Sequence, residues 1–474
     1  MKMLRVLALA AIAWGCATNP ATGRREVMLM SESQEISLGR QSNTEIRQQM
    51  GAYGDDNLER YVTGVGERLA RAAHRPTLPW TFTVVDEPAV NAFAVPGGFV
   101  YITRGILPFL KNEAELAAVM AHEVGHVDAR HSARQYSSQT LAGGGLALLG
   151  ILVPQTQPAQ GLASLGLGAV FLKFSREDEL EADKLGVGYA AQSGWDPKGM
   201  PGLLETLARL DEATGTSRGV PNWALTHPPA ADRVVKVQEA VATAPSGARE
   251  TNPSQFERYL DGLVFGDSRE KGIVRGNEFV HPILRFALRF PQGWDVANSD
   301  EQVSARQNET SNVAMLLQPG SGSGPLQDLG PQSMQRAGWT LIAGDRTSIN
   351  GLDAFLGTYG GVVNNTRVVL EAAHVRAGQQ LYVIAGIAPE QAFEAARRTF
   401  ETSIRTFRSL SQQEADRIQP DRIDFYVVRS GDTWESIARG AGGTVKASTV
   451  AIMNGSEPGT APRPGTRIRI VAGG

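Results

Sequence analysis

The chain has 474 residues, which is too long for one hydrophobic core and predicts about two to four domains. Its hydrophobic content of 42%, charged content of 20% and net charge of −3 are those of an ordinary globular protein. Because there is no basic excess, the composition argues against a nucleic-acid partner.

The amino terminus, MKMLRVLALAAIAWGC, is typical of a secretory signal. Lys2 and Arg5 precede an apolar run that is too short to span a bilayer. Cys16 is the only cysteine, so no intramolecular disulfide can form, and its position resembles the lipid attachment site of a bacterial lipoprotein. Ala17 after it favours anchoring at the outer membrane, in the periplasm. A simple cleaved signal and an uncleaved anchor are the alternatives.

Residues 17–30 are turn-rich and are predicted to form a tether leading into the folded part. Helical patterns follow around Glu32 to Met50 and around Asn57 to Ala73. Two strands are predicted next, TFTVVD (81–86) and GGFVYITRG. The second strand, from Gly98 to Arg104, is expected to be a sheet edge that pairs with an extended substrate.

The segment KNEAELAAVMAHEVGHVDARHSARQ has apolar residues at helical spacing, and Asn112 is the expected N-cap. His122 and His126 are four residues apart, so both imidazoles project from one helical face and can reach one Zn²⁺. Glu123 follows the first histidine and lies close enough to hold a water beside the metal. His131 is expected, from its spacing, to face away from this pair as a structural or surface residue.

Residues 141–174 are apolar and glycine-rich, but Pro154 and Pro158 interrupt them. Neither half reaches the length that a membrane-spanning helix needs. We interpret the segment as a buried helical hairpin, and the alternative is a surface that touches membrane or unfolded protein.

The acid-rich stretch SREDELEAD begins a further helix, with Ser175 as its N-cap. A hydrolytic zinc site needs a third protein ligand, and this stretch is the natural source. Glu179 and Asp183 share one helical face, so one carboxylate can bind zinc while the other accepts the free N–H of a ligating histidine. Spacing alone leaves four acids eligible as the ligand: Glu177, Asp178, Glu179 and Glu181.

HEVGH followed by SREDELEAD, with NAFAVPGGFVYITRG before and THPPAADR after, resembles the HtpX and CAAX-prenyl-protease type of zinc metallopeptidase. The similarity is to its periplasmic lipoprotein (BepA-like) branch and covers roughly residues 19–245. It implies a mainly helical zincin domain of the gluzincin type with a small sheet. The cofactor that the resemblance implies is Zn²⁺.

The resemblance also assigns roles to residues. It implies that His122, His126 and Glu179 are the zinc ligands. It further implies that Glu123 is the catalytic base and that Asp183 is the carboxylate that orients a zinc-binding histidine. The implied mechanism is attack of zinc-bound water on the scissile carbonyl, assisted by Glu123.

His227 and Arg233 match the HPxxxxR pattern of the same family, near the metal. In the BepA-like branch the matching histidine can occupy the fourth zinc position, so His227 is a candidate gate. The tetrahedral oxyanion needs a positive or hydrogen-bonding neighbour besides zinc. Arg233, or His227 once it moves aside, could supply that neighbour.

Residues 270–410 alternate like antiparallel strands and close with the amphipathic segment EQAFEAARRTFETSIRTF, which predicts an α+β domain of unknown role. Its histidines, His281 and His374, are isolated and are interpreted as packing or recognition residues.

Residues 424–474 are predicted as strand, helix, helix, strand. They resemble the LysM module in YVVRSGDTWESIA, IMNG and PGTRIRIV, and such modules typically bind N-acetylglucosamine glycans such as peptidoglycan.

The predicted fold class is α+β multidomain. A signal with a lipobox-like cysteine (1–16) precedes a zinc metallopeptidase domain (17–250), the α+β domain (270–410) and the LysM-like βααβ module (424–474). The predicted function is a zinc-dependent endopeptidase of the bacterial cell envelope that acts on misfolded or stalled envelope proteins. The alternatives are a largely non-proteolytic assembly factor and a peptidoglycan-binding scaffold.

Overall fold

The computed structural model describes residues 16–142, 174–214, 223, 227, 231–245, 247, 250–299, 301–308, 311–442 and 445–474. The chain divides into two units, Met1–Gly266 with Asp421–Gly473, and Asp267–Pro420. Residues 1–15 of the predicted signal and 143–173 of the apolar, glycine-rich segment lie outside the described residues.

The first unit begins with short strands and helices. Its strands are β1 (Cys16–Thr18), β2 (Arg25–Val27), β3 (Thr81–Val85), β4 (Ala92–Val95) and β5 (Phe99–Thr103). Its helices up to Gly266 are α1 (Glu32–Gln49), α2 (Asp56–Ala70), α3 (Glu113–Asp128), α4 (His131–Ala142), α5 (Arg176–Gln192), α6 (Gly199–Thr214), α7 (Ala231–Thr243) and α8 (Pro253–Leu260). The two helical patterns predicted before the sheet are confirmed as α1 and α2.

Helix α3 carries the two motif histidines through the interior of this unit. Asn112 caps it as predicted, because its side chain accepts a hydrogen bond from the backbone N–H of Glu115. All residues of α3 are buried, since the helix packs against α2, α5, α6 and strand β4. A helix buried on every side has no solvent-facing stripe, so its polar residues need partners inside the protein.

A three-stranded sheet of order β3–β5–β4 lies beside α3. Strand β5 is parallel to β3 and antiparallel to β4. Both predicted strands are therefore confirmed, but the prediction that the second one is a sheet edge is wrong. Because β5 is paired on both sides, the edge strand next to α3 is β4.

The segment predicted as a tether, residues 17–30, instead contains the antiparallel β1–β2 hairpin, which begins at Cys16. Asn19 donates a hydrogen bond from Nδ2 to the carbonyl oxygen of Ala129 at 2.8 Å. The backbone N–H of Leu29 donates to Ser137 Oγ at 2.9 Å. These long-range hydrogen bonds hold the hairpin, and the residues that follow it, against the end of α3 and against α4.

The second unit is built from antiparallel sheets. Its strands are β6 (Ile273–Arg275), β7 (Glu278–His281), β8 (Phe286–Arg289), β9 (Asp295–Asn298), β10 (Val303–Arg306), β11 (Ala314–Gly320), β12 (Thr340–Ile349), β13 (Leu352–Val363), β14 (Thr366–Ala377), β15 (Gln380–Pro389) and β16 (Arg408–Ser409). Its helices are α9 (Leu326–Arg336), α10 (Glu390–Ile404) and α11 (Gln412–Arg417). One sheet has the order β12–β13–β14–β15–β11–β10–β9 and the other β16–β8–β7–β6. The predicted strands and the closing amphipathic helix, α10, are confirmed.

The carboxy-terminal segment belongs to the first unit. It consists of β17 (Arg422–Val427), α12 (Trp434–Gly440), α13 (Ala447–Met453) and β18 (Arg467–Ala472), and β17 pairs with β18. The predicted order of strand, helix, helix, strand is therefore present. Ile423, Ile452, Met453 and Val471 are buried in the same hydrophobic core as residues of α2 and α3.

Within the described parts of the chain, no helix is both long enough and apolar enough to cross a membrane.

Candidate metal centre

His122 and His126 meet at one point in the interior. Their Nε2 atoms are 3.0 Å apart, and the two residues are 0% and 2% exposed. The predicted shared helical face therefore brings two nitrogen ligands together, one turn apart on α3.

Glu179 and His227 join the two histidines to form a group of four potential metal ligands. Glu179 Oε1 lies 3.5 Å from His126 Nε2, and Glu179 Oε2 lies 3.7 Å from His122 Nε2. His227 Nδ1 lies 2.9 Å from Glu179 Oε1 and 3.3 Å from His122 Nε2. One ligand atom from each of the four residues falls within 4.8 Å of all the others.

The other acids that spacing left eligible have different surroundings. Asp178 accepts hydrogen bonds at the N-cap of α5 and pairs with Arg134. Glu181 pairs with His131 and Arg134, and Glu177 is exposed. Among the described residues of SREDELEAD, Glu179 is therefore the carboxylate that joins the histidines.

The donor set fits zinc. Tetrahedral ligands at zinc's usual bond lengths lie about 3.3 Å from one another, and the five separations given above run from 2.9 to 3.7 Å. Three imidazole nitrogens and a carboxylate oxygen are also ligands that Zn²⁺ prefers. Glu123 Oε1 is buried beside them without a hydrogen-bond donor among the described residues. Such an arrangement leaves one carboxylate oxygen free to accept a proton in the site.

Asp183 and Arg233 lie behind this cluster. Asp183 Oδ1 is 2.9 Å from His122 Nδ1, the ring nitrogen that faces away from the other ligands. Arg233 donates from Nε and Nη2 to Asp183 at 2.7 and 2.8 Å, and its Nη1 lies 2.8 Å from Glu179 Oε2. Burial alone would raise the pKa of Asp183, but the hydrogen bonds from Arg233 and His122 lower it to about 2. The carboxylate beside His122 is therefore ionised at neutral pH.

Glu123 has the opposite electrostatic environment. Burial raises its pKa, and the nearby His227 and His122 offset only part of that rise. Its Oε1 lies 3.6 Å from His227 Nε2. A carboxylate with a raised pKa is a better proton acceptor than an exposed glutamate.

The prediction that His131 faces away from the two histidines is wrong, and since it is 0% exposed it is not a surface residue. Its Nδ1 lies 2.8 Å from His126 Nδ1, and its Nε2 lies 3.0 Å from Glu181 Oε2. Residue spacing would place His131 away from the pair only on one continuous helix, whereas α3 ends at Asp128 and Arg130 adopts a left-handed conformation with φ of 58°. The break redirects the chain so that the first residue of α4 points back toward His126.

Two aromatic residues at the site were missed by the sequence analysis. The Phe174 ring stacks on His126 with centroids 4.0 Å apart. The Trp223 ring stacks on His227 at 4.2 Å, and its backbone N–H donates to the carbonyl oxygen of Val90 at 3.3 Å. Phe174 is the last residue of the apolar segment interpreted as a buried hairpin, and Trp223 precedes THPPAADR, so neither residue pattern indicated a role at the metal site.

The geometry defines a buried metallopeptidase-type zinc site on a helical domain. The sequence profile of peptidase family M48 matches residues 56–241. The chain is 33% identical over 253 residues to the mitochondrial metalloendopeptidase OMA1 of Schizosaccharomyces pombe, covering 51% of this chain and 70% of that protein. The chain belongs to peptidase family M48, and His122, His126 and Glu179 are its zinc-ligand cluster.

Bacterial relatives show the same region of similarity. The chain is 35% identical over 220 residues to the "Beta-barrel assembly-enhancing protease" of Escherichia coli (strain K12). The match covers 44% of this chain and 44% of that protein. The chain thus spans a little under half the length of this curated relative.

Proposed function

We propose that the chain is a zinc endopeptidase of the bacterial cell envelope that hydrolyses misfolded or stalled envelope proteins. The observation that carries the proposal is the buried convergence of His122, His126 and Glu179, with Glu123 directly beside them. The name of the Escherichia coli relative supports the envelope setting and the proteolytic role. The BepA-like branch is the part of the family to which we assign the chain.

When bound, zinc supplies Lewis acidity that polarises the scissile carbonyl and eases deprotonation of water. Glu123 accepts the proton of the attacking water and returns it to the leaving amine. Asp183 holds His122 through its Nδ1, and Arg233 holds Asp183 and Glu179. Because the donors of Arg233 already face these two carboxylates, we assign it a positioning role.

His227 lies between the metal ligands and Glu123. Its Nδ1 is part of the ligand group and its Nε2 is near Glu123, so it fills the position that a substrate carbonyl would need. We therefore propose that His227 closes the resting site and that it moves aside when substrate binds.

Strand β4 is the candidate backbone partner of an extended substrate, in place of the strand predicted from the sequence. It is the sheet edge next to α3, and an edge strand can add one further strand. Ala92 and Val95 are both 0% exposed, so access to this edge also requires displacement of what covers it.

The proposal is tested by casein cleavage with zinc quantified in the wild type, Glu123→Gln and His227→Ala. Glu123→Gln should keep about one zinc and lose roughly 10²- to 10⁴-fold in rate. His227→Ala should cleave faster than the wild type, because the gate is removed. If all three proteins bind zinc and none cleaves casein or an unfolded outer-membrane protein, the proteolytic role is wrong.

A largely non-proteolytic assembly factor is the second candidate, and the closed arrangement around His227 favours it.

We also propose attachment to the membrane through lipidated Cys16, and peptidoglycan binding through the LysM-like segment. A peptidoglycan pull-down of the wild type, with and without a soluble N-acetylglucosamine oligomer as competitor, tests the latter. Equal recovery in the two conditions would remove glycan binding from the proposal.

A further inference from the structure

The ring of His126 has a polar partner on the side away from the metal cluster. His126 Nε2 joins the ligand atoms, whereas its Nδ1 lies 2.8 Å from Nδ1 of His131. His131 is 0% exposed, and its other nitrogen, Nε2, lies 3.0 Å from Glu181 Oε2. Both nitrogens of His131 are thus engaged inside the protein.

These contacts permit one arrangement of protons when Nε2 of His126 binds a metal. Metal binding at Nε2 leaves the proton of neutral His126 on Nδ1, so Nδ1 donates and His131 Nδ1 must accept. The proton of neutral His131 then sits on Nε2 and donates to Glu181. No alternative tautomer satisfies both contacts.

We infer that His131 is a positioning residue that orients His126 for zinc, and that Glu181 in turn sets the tautomer of His131. The inference rests on the proposed zinc-dependent function. It gives the two motif histidines separate supports, because His122 has Asp183 at its Nδ1 whereas His126 has an imidazole. Groups of this kind raise ligand basicity and restrict ring rotation.

The hydrogen-bond and ion-pair network behind His126 extends to the amino-terminal hairpin. Arg134 on α4 lies 3.4 Å from Glu181 Oε2, pairs with Asp178, and donates to Glu26 on β2 at 2.7 Å. Glu26 also accepts a hydrogen bond from Asn19, the residue that binds the carbonyl oxygen of Ala129. The hairpin that begins at Cys16 is therefore part of the hydrogen-bonded structure behind the metal ligands.

The test is the zinc dissociation constant of the full chain, measured by competition with a chromophoric chelator at one fixed pH. His131→Leu should weaken zinc binding by about 10- to 100-fold. His131→Asn should recover most of that loss, because the amide oxygen can accept the hydrogen bond at the place of Nδ1. The matched control is His374→Leu, which replaces a buried histidine in the second unit and should leave the constant unchanged.

A second pair of variants covers the case in which His131→Leu does not fold. Glu181→Ala should weaken zinc binding several-fold, whereas Glu177→Ala, an exposed acid on the same helix, should not. If folded His131→Leu or Glu181→Ala binds zinc with wild-type affinity, this inference is wrong while the proposed function stands. Failure of the wild type to bind zinc would overturn the proposed function and this inference with it.

Discussion

Arg469, on the last strand, donates a hydrogen bond from Nη1 to the carbonyl oxygen of Leu110 at 2.6 Å. The same guanidinium donates to the carbonyl oxygens of Pro108 and Lys111, both at 2.9 Å. These three carbonyls lie in the turn that leads directly into α3. The carboxy-terminal segment therefore fixes the start of the helix that carries the zinc ligands, 358 residues or more away in sequence.

We predict that Arg469→Met lowers the free energy of unfolding of the first unit by on the order of 3 kcal/mol. The substitution leaves several buried carbonyl oxygens without donors, and each such group is costly. The measurement is urea unfolding of the whole chain. The control is Arg467→Met on the same strand, whose half-exposed ion pair with Glu257 should contribute no more than about 1 kcal/mol. Equal losses in the two variants would contradict the prediction.

Removal of the metal should destabilise the first unit selectively. Zinc that binds only the folded state at about a thousand times its Kd contributes about 4 kcal/mol to stability. Chelation should therefore lower the Tm of the unit that contains His122 and Glu179 while the transition of the second unit stays in place. Calorimetry before and after chelation measures both. A parallel fall of the two transitions would contradict the prediction.

Trp223→Ala should raise the rate of casein cleavage several-fold, by less than His227→Ala does. Trp223 is 4% exposed and stacks on His227, so the loss of the indole should let His227 leave the ligand group more often. The measurement is kcat/KM with zinc content checked in each protein. A fall in kcat/KM at unchanged zinc content would instead indicate that Trp223 contacts the substrate.

The second unit should lose stability as the pH falls below 6.5. Burial lowers the pKa of His374 from 6.5 to about 4. Between these two pH values the unfolded chain binds a proton at this histidine that the folded unit does not bind. The second unit therefore has its full free energy of unfolding above pH 6.5 and loses part of it as the pH falls toward 4. The loss that His374 causes between pH 7 and pH 5 is about 2 kcal/mol.

Hydrogen exchange of the β13 and β14 amides at the two pH values measures this loss. Burial also lowers the pKa of His281 in the same unit to about 4, so His374→Gln removes one of two such groups and should reduce the pH dependence by about half. Ser333 Oγ, 2.9 Å from His374 Nε2, is a neutral partner and remains in the variant. An unchanged pH dependence in His374→Gln would assign the effect to other groups, such as His281.

The sequence was most informative where the relevant residues are near neighbours in the chain. His122 and His126 share a helical face because of helical geometry alone, and Asn112 caps α3 because a local side chain can reach a free N–H. The alternating strands of the second unit were predictable for the same reason. In each case the determining interaction spans a few residues.

Predictions made from residue spacing were wrong where the backbone departs from regular helical geometry. His131 was placed by assuming an unbroken helix, and the left-handed Arg130 reverses that placement. Likewise, a strand's pattern does not reveal its neighbours, so the central position of β5 could not be read from its residues. The hairpin at residues 17–30 depends on hydrogen bonds to Ala129 and Ser137, more than 100 positions away.

The sequence by itself determined the chemistry of the site: two histidines and a glutamate on one helix, followed by an acid-rich helix. Residue spacing left four acids eligible, and the family resemblance pointed to Glu179, which the structure places beside the histidines. Only the tertiary structure decided which side chain supports His126 and that Arg469 holds the approach to α3. The physical reason is that metal ligation and buried hydrogen bonding act through space over about 3 Å. Helical periodicity orders positions along one element, and packing between elements decides which of them meet.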